Sequence, residues 1–215
     1  RFLIITENDL DPINIERAKQ GLHKANSIWF WGAGTRPALH SFQEKTGLKG
    51  AMISAVDLLK GIAVGAGMKV VEVEGANGGL HTNYEGKAHA AADALLKEDC
   101  DFVYIHLEAP DEMGHQGSVE HKITAIEYLD QRIVRPIIEA MEKSKEAFRI
   151  LIMPDHPTPI RCRTHTSDPV PYLLYDSTKV VKMDGLYSEK DAIKTGILVK
   201  EGYRITEKLF NTYTE

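Results

Sequence analysis

Short apolar runs alternate with amphipathic helical stretches along most of this chain, and that alternation constrains the fold more than any other feature. The β-type runs are "SIWFW" (27–31), "GAMIS" (50–54), "KVVEV" (69–73), "FVYIHL" (102–107), "RILIM" (149–153) and "PYLLY" (171–175). Helical patterns fall at 55–66, 86–98, 118–143 and 188–200. Strands separated by helices pair in parallel, so the pattern predicts an α/β fold with a mostly parallel sheet sandwiched between helices. The clearest helix is 118–143, where Ile123, Ile126, Leu129, Ile133, Ile137 and Met141 recur at helical spacing opposite a charged face. Near the start, "FLIIT" has strand propensity, although the same residues would serve as the last turns of a helix.

With 215 residues, 43% of them apolar, the chain has the material for a sizeable core. A net charge of −5 gives no electrostatic footprint for nucleic acid, and no apolar stretch approaches the roughly 20 residues of a membrane span. Neither partner is expected. Cys100 and Cys162 lie far apart and outside any metal or redox spacing, which points to a reducing cytoplasm. The chain opens on Arg1 without a signal-peptide layout and reads as a fragment of something longer.

Ligands of open α/β sheets bind beyond the carboxyl ends of the strands. Asp111 and His115 fall in such a place, in the stretch "EAPDEMGHQG" after "FVYIHL". Asp155 and His156, in "PDHPTP", follow "RILIM" in the same way. His165 precedes the candidate strand 171–175, so a loop must carry it back to that edge. Carboxylates and imidazoles without thiolates suit Zn²⁺, Mn²⁺ or a similar first-row dication and disfavour Ca²⁺. The D-x-x-x-H spacing alone has a plainer alternative, a capping carboxylate and a surface imidazole in a loop. The charged pair clamped between prolines after a buried strand carries more weight, because buried charges need a counter-charge or a metal. Together the residues favour a site for two metal ions. Two ions with about four ligands each need about eight donors, and Asp111, His115, Asp155, His156 and His165 supply five. Two dications also outweigh the two carboxylates, leaving room for further anionic ligands or an anionic substrate such as phosphate.

The segments "PINIERAKQG", "GLKGAMISAVDLLKGI", "VEGANGGLHTNYEGKA", "HLEAPDEMGHQG", "MPDHPTP" and "RTHTSDPVPY" resemble the archaeal-type cofactor-independent phosphoglycerate mutases of the alkaline phosphatase superfamily. The resemblance implies an alkaline-phosphatase-like fold and an enzyme using two divalent ions (Mn²⁺, Zn²⁺ or Mg²⁺). Its reaction would interconvert 3-phosphoglycerate and 2-phosphoglycerate through a phosphoserine intermediate, as part of glycolysis and gluconeogenesis. It also implies that Asp111, His115 and His165 hold one ion, and Asp155 with His156 part of the other. The family's nucleophilic Ser and a further metal-binding Asp belong to an amino-terminal segment outside this sequence, so these residues alone are expected to be inactive. Should they be active, Ser118 or Thr158 would be the substitute nucleophile.

Retaining glycerate during the transfer requires cations. Lys60 and Arg17 lie in segments that match the family and are the catalytic candidates; Arg36 and Arg163 are candidates for substrate binding. Each is otherwise a solvated surface cation. His89, His106 and His121 read as structural, Glu112 as an exposed carboxylate, and the glycines of 61–67 as helix-end residues. Residues 1–50 are read as the tail of an inserted substrate-clamping domain and the return from it, and 51–215 as the metal-binding α/β domain. Two alternatives stand beside the mutase: a phosphatase or homoserine-kinase-like relative, and a non-catalytic metal-binding fragment.

Overall fold

A computed structural model describes residues 3–4, 12–28, 34–35, 37–179 and 185–210. Contacts divide the chain into two compact units, Arg1–Ala38 and Leu39–Glu215. In the first, β1 (Leu3–Ile4) pairs antiparallel with β2 (Ser27–Ile28), and α1 (Pro12–Lys19) lies between them in sequence. A strand therefore does begin in "FLIIT". The buried Asn14 accepts the backbone N–H of Ala25 at 2.8 Å through Oδ1, tying α1 to the segment after it.

The second unit runs α2 (Phe42–Thr46), β3 (Gly50–Ile53), α3 (Asp57–Gly65), β4 (Lys69–Val70), α4 (Tyr84–Lys97), β5 (Phe102–Ile105), α5 (Ala109–Gln116) and α6 (Val119–Leu129). A π-helical turn at Asp130–Val134 leads into α7 (Arg135–Ser144), followed by β6 (Arg149–Ile152), β7 (Leu173–Asp176), α8 (Glu189–Lys194) and α9 (Ile205–Phe210). Ser41, Asn83, Ser118 and Ser188 start α2, α4, α6 and α8, each side chain accepting a backbone N–H from the first turn. Ser118 is thus occupied as a helix cap.

The expected parallel sheet is present among the helices, with order β4-β3-β5 and β3 buried along its whole length. Burial on both faces explains why "GAMI" is uniformly apolar or small rather than alternating. Ile53 joins Tyr84, Ala88, Met113, Ile133 and Ile137 in one core cluster, so strand, α4, α5 and α7 share a single apolar centre.

Several sequence-based expectations need correction. The strand 69–73 is cut to two residues, although Val71 N–H still bonds to the Met52 carbonyl at 2.9 Å. The strand near 171–175 begins at Leu173 and pairs antiparallel with β6, outside the three-stranded sheet. The helix near 188–200 stops at Lys194. Along 118–143, Ile133, Ile137 and Met141 are buried as the periodicity implies, but Ile123 and Ile126 are 53% and 51% exposed. The π turn is the physical reason: its extra residue per turn resets the phase, so one stripe in sequence becomes two faces in space. Ala125 takes the buried position on α6 instead. That turn is held by Arg132, whose guanidinium lies 4.7 Å from the ring centroids of both Tyr84 and Tyr128 and binds Glu85 with two nitrogens at 2.5 and 2.7 Å. Among the described residues, no helix is long and apolar enough to cross a membrane.

Candidate metal centre

The segment beyond β5 that carries Asp111 and His115 is a helix. Pro110 sits in its first turn, Asp111 and Glu112 favour the positive end of the helix dipole, and Gly117 closes it with a φ of +73°. The D-x-x-x-H spacing consequently becomes an i, i+4 pair, which places Asp111 and His115 on one face of α5.

His165 reaches the same place through a closed loop. Cys162 and Arg163 N–H groups both bond to the Pro159 carbonyl at 2.9 Å, and Thr166 N–H bonds to the Pro157 carbonyl at 3.1 Å. Three donor residues, offering four atoms, then converge. His115 Nε2 and His165 Nε2 are 3.1 Å apart; His115 Nε2 is 3.3 Å from Asp111 Oδ2, and His165 Nε2 is 3.3 Å from Asp111 Oδ1. Ligand atoms bound tetrahedrally at about 2.0–2.1 Å from one ion are separated by about 3.3 Å, so each of these contacts has the spacing expected between ligands of one metal. The three residues offer donor atoms all within 4.8 Å of one another.

Hydrogen bonding around the triangle agrees with that role. His115 Nδ1 lies 3.0 Å from the Arg163 carbonyl oxygen. A carbonyl only accepts, so Nδ1 carries the proton and Nε2 keeps the lone pair a metal requires. Thr158, itself buried, donates its hydroxyl to Asp111 Oδ1 and fixes the carboxylate. Lys122 donates to the Thr158 carbonyl at 2.6 Å. Burial pulls the Lys122 ammonium below its ordinary range, and the neighbouring Asp111 carboxylate works against that fall. Sequence reasoning missed Lys122, and named Thr158 only as a substitute nucleophile. A threonine between two prolines carries no pattern that announces a carboxylate partner.

Asp155 and His156 neighbour this group without belonging to the three-donor set. The His156 ring stacks on that of His165, centroids 3.7 Å apart, and Asp155 Oδ2 lies 3.3 Å from His156 Nε2. The Asp155 side chain is 65% exposed, which overturns the idea of a charge buried straight after the strand. Met153 and Pro154 lead the chain out of β6 into solvent before the pair is reached.

The candidate cations fall in different settings. Lys60, on α3, binds both oxygens of Glu72 at 3.0 and 2.7 Å. Arg163 lies with its guanidinium against Gly117 at the end of α5. Arg17, in the first unit, donates to the His23 carbonyl at 2.6 Å, and Arg36 lies outside the described residues.

Close approach of α5 to the 154–159 loop depends on Gly114. A Cβ there would stand 2.6 Å from the Thr158 carbonyl oxygen and 3.0 Å from Lys122 Nζ. Gly114→Ala is therefore expected to destabilise the protein by about 1–3 kcal/mol and to weaken Zn²⁺ binding about 10-fold by displacing Thr158 from Asp111. Thermal denaturation and a Zn²⁺ titration check both; wild-type values in each would show that the loop yields without consequence.

Comparison with known proteins matches residues 9–205 to the model of the Metalloenzyme superfamily. The 2,3-bisphosphoglycerate-independent phosphoglycerate mutase of Methanosarcina acetivorans is 52% identical over 189 residues, covering 87% of this chain and 47% of that protein. A probable enzyme of the same name from Geobacter sulfurreducens is 50% identical over 197 residues, covering 91% of this chain and 48% of that one. The chain thus spans about half the length of these relatives. Among solved structures, the PH0037 protein of Pyrococcus horikoshii superposes with a TM-score of 0.73 at 30% identity, covering 96% of this chain and 54% of that one. The cofactor-independent phosphoglycerate mutase of Thermoplasma acidophilum shares the fold, with a TM-score of 0.56 at 23% identity over 95% of this chain and 47% of that one. With a family model spanning nearly its whole length, and a nitrogen and oxygen donor cluster built on its α/β sheet, the chain belongs to the Metalloenzyme superfamily.

Proposed function

We propose that this chain is the metal-binding part of a phosphoglycerate mutase that interconverts 3-phosphoglycerate and 2-phosphoglycerate, in glycolysis and gluconeogenesis. The observation that carries the reading is the Asp111, His115 and His165 cluster, with donor contacts of 3.1 to 3.3 Å, in a chain about half identical to proteins named for that activity. In this reading the triangle holds one divalent ion, and Asp155 with His156 provides part of the shell of a second. Mn²⁺, Zn²⁺ and Mg²⁺ all suit these donors. When bound, such ions supply positive charge for the transferring phosphoryl oxygens and lower the pKa of an attacking hydroxyl.

The chain's own residues have distinct tasks. The Arg163 carbonyl accepts from His115 Nδ1 and so leaves Nε2 as the lone-pair nitrogen of the neutral ring, and the Thr158 hydroxyl holds the Asp111 carboxylate. Lys60 is the cation offered to the phosphoryl group, exchanging Glu72 for substrate; Arg17, Arg36 and Arg163 are offered to its carboxylate and phosphate. The unpaired Cys100 and Cys162 support a reducing, cytoplasmic setting. We read residues 1–50 as linked to substrate clamping and 51–215 as the metal-binding domain.

The test is turnover by a polypeptide extended to the length of the relatives, supplied with Mn²⁺ and 3-phosphoglycerate. Formation of 2-phosphoglycerate is the expected product. Release of free phosphate without the 2-isomer would replace the mutase with a phosphatase acting at the same centre.

A further inference from the structure

One turn before Asp111 the structure buries charges that the proposed chemistry does not use. Lys87, on α4, is fully buried, and its Nζ donates to the His106 carbonyl at 3.2 Å. Both carboxylate oxygens of Glu108 are shielded from solvent and receive no directed hydrogen bond. His106 Nδ1 stands 3.3 Å from Glu108 Oε1, outside hydrogen-bonding geometry, and 3.4 Å from Ser54 Oγ. The backbone of Gly78 closes over the group, where a Cβ would sit 3.4 Å from Glu108 Oε2. His106 therefore links the two charges, taking Lys87 on its carbonyl and facing Glu108 with its ring.

Burial pulls the Lys87 ammonium down, partly offset by Glu108. Burial also pushes the Glu108 carboxyl up, but His106 and Lys87 outweigh it and hold the group below its ordinary range. Lys87 and Glu108 thus share a dry place, where loss of either leaves the other uncompensated. Their location gives them a use. Glu108 is the N-cap residue of α5, its carbonyl accepting the N–H groups of Asp111 and Glu112 at 2.9 and 3.0 Å. Its side chain makes no cap hydrogen bond and is directed to the buried group instead. The N-cap residue of the helix is thereby tied to α4 and to the end of β5.

We infer that Lys87, His106 and Glu108 form a positioning network that fixes the start of α5, and with it the donor geometry of Asp111 and His115. The inference rests on the metal reading of that triangle. A small rotation of the first turn would spread donor atoms that must all lie about 2.0–2.1 Å from one ion. None of the three residues belongs to the Asp111, His115 and His165 donor set.

Co²⁺ is a suitable probe, because its visible absorption reports ligand geometry as well as affinity. Lys87→Met and Glu108→Gln are each expected to weaken Co²⁺ binding about 10-fold or more and to change the band shape at saturation. The double variant Lys87→Met/Glu108→Gln removes both charges; it should regain the wild-type melting temperature while keeping the weaker affinity and altered spectrum. Single variants that remain folded and bind Co²⁺ as the wild type does would overturn the proposal. So would a double variant that recovers melting temperature, affinity and spectrum together, since the pair would then serve charge balance alone. If the single variants fail to fold, the double variant decides by the same criteria. A wild-type chain that binds no Co²⁺ would remove the metal reading and this inference with it, whereas binding that ignores the substitutions removes only the inference.

Discussion

Asp111→Asn is expected to abolish tight metal binding and leave the fold intact. Asp111 is the hub of the centre: each of its oxygens faces one imidazole at 3.3 Å, and Oδ1 also accepts the Thr158 hydroxyl. An amide preserves the shape and one acceptor oxygen, so the contact to Thr158 survives. What is lost is the negative charge and one ligand atom. Changing a residue that merely orients a ligand costs about 10–100-fold in metal affinity, so losing the ligand itself should cost more than about 100-fold. With its side chain 31% exposed, Asp111 is a minor contributor to the core, and the metal-free melting temperature should move little. Calorimetric titration with Mn²⁺ beside a thermal scan separates the two effects. A dissociation constant within about threefold of wild type, well short of that range, would remove Asp111 from the ligand set.

The residues that form the triangle were legible in the sequence, while the means of bringing them together were not. Asp111 and His115 stood out as donor types after a strand, and that reading was indifferent to whether a loop or a helix carried them. The helix itself had left signals: Pro110 and two acids in the first turn, Gly117 at the end, and Ser118 to start the next helix. His165 is different. Its approach depends on two carbonyls of the proline-rich loop, Pro157 and Pro159, accepting N–H groups up to nine residues away, and backbone bonding of that kind leaves no compositional mark.

The same division runs through the fold. The parallel arrangement of β3, β4 and β5 follows from local alternation of strand and helix, which the sequence displays. The pairing of β7 with β6 is antiparallel and spans a long loop, so only the distant partner decides it. The exposure of Ile123 and Ile126 depends on a single inserted residue in a π turn, a phase change that periodicity counted along the chain cannot register. Lys122, Lys87 and Glu108 are invisible for a further reason: a buried lysine or glutamate is spelled like a solvated one until its neighbours are known.

In a polypeptide extended to the relatives' length, Asp155→Ala and His156→Ala should each lower kcat/KM at least about 100-fold while sparing stability. The structural side of the claim comes from exposure. Asp155 is 65% exposed, and among the described residues its side chain hydrogen-bonds and ion-pairs with its neighbour in sequence, His156. A substitution at such a surface position usually changes stability by less than about 0.5 kcal/mol. His156 contributes a ring stacked on His165 and a 3.4 Å approach of Nδ1 to Thr158 Oγ1, so its removal should cost about 1 kcal/mol. The functional side comes from charge. A divalent ion beside a transferring phosphoryl group supplies several kcal/mol of transition-state stabilisation, and each 1.36 kcal/mol is about tenfold in rate. Losing a ligand that retains the ion forfeits much of that term. Steady-state kinetics at saturating Mn²⁺ and a melting curve for each variant give the comparison. Near-normal turnover would exclude these residues as ligands, whereas a large fall in melting temperature parallel to the loss of rate would assign them to the architecture of the 154–166 loop rather than to a second ion.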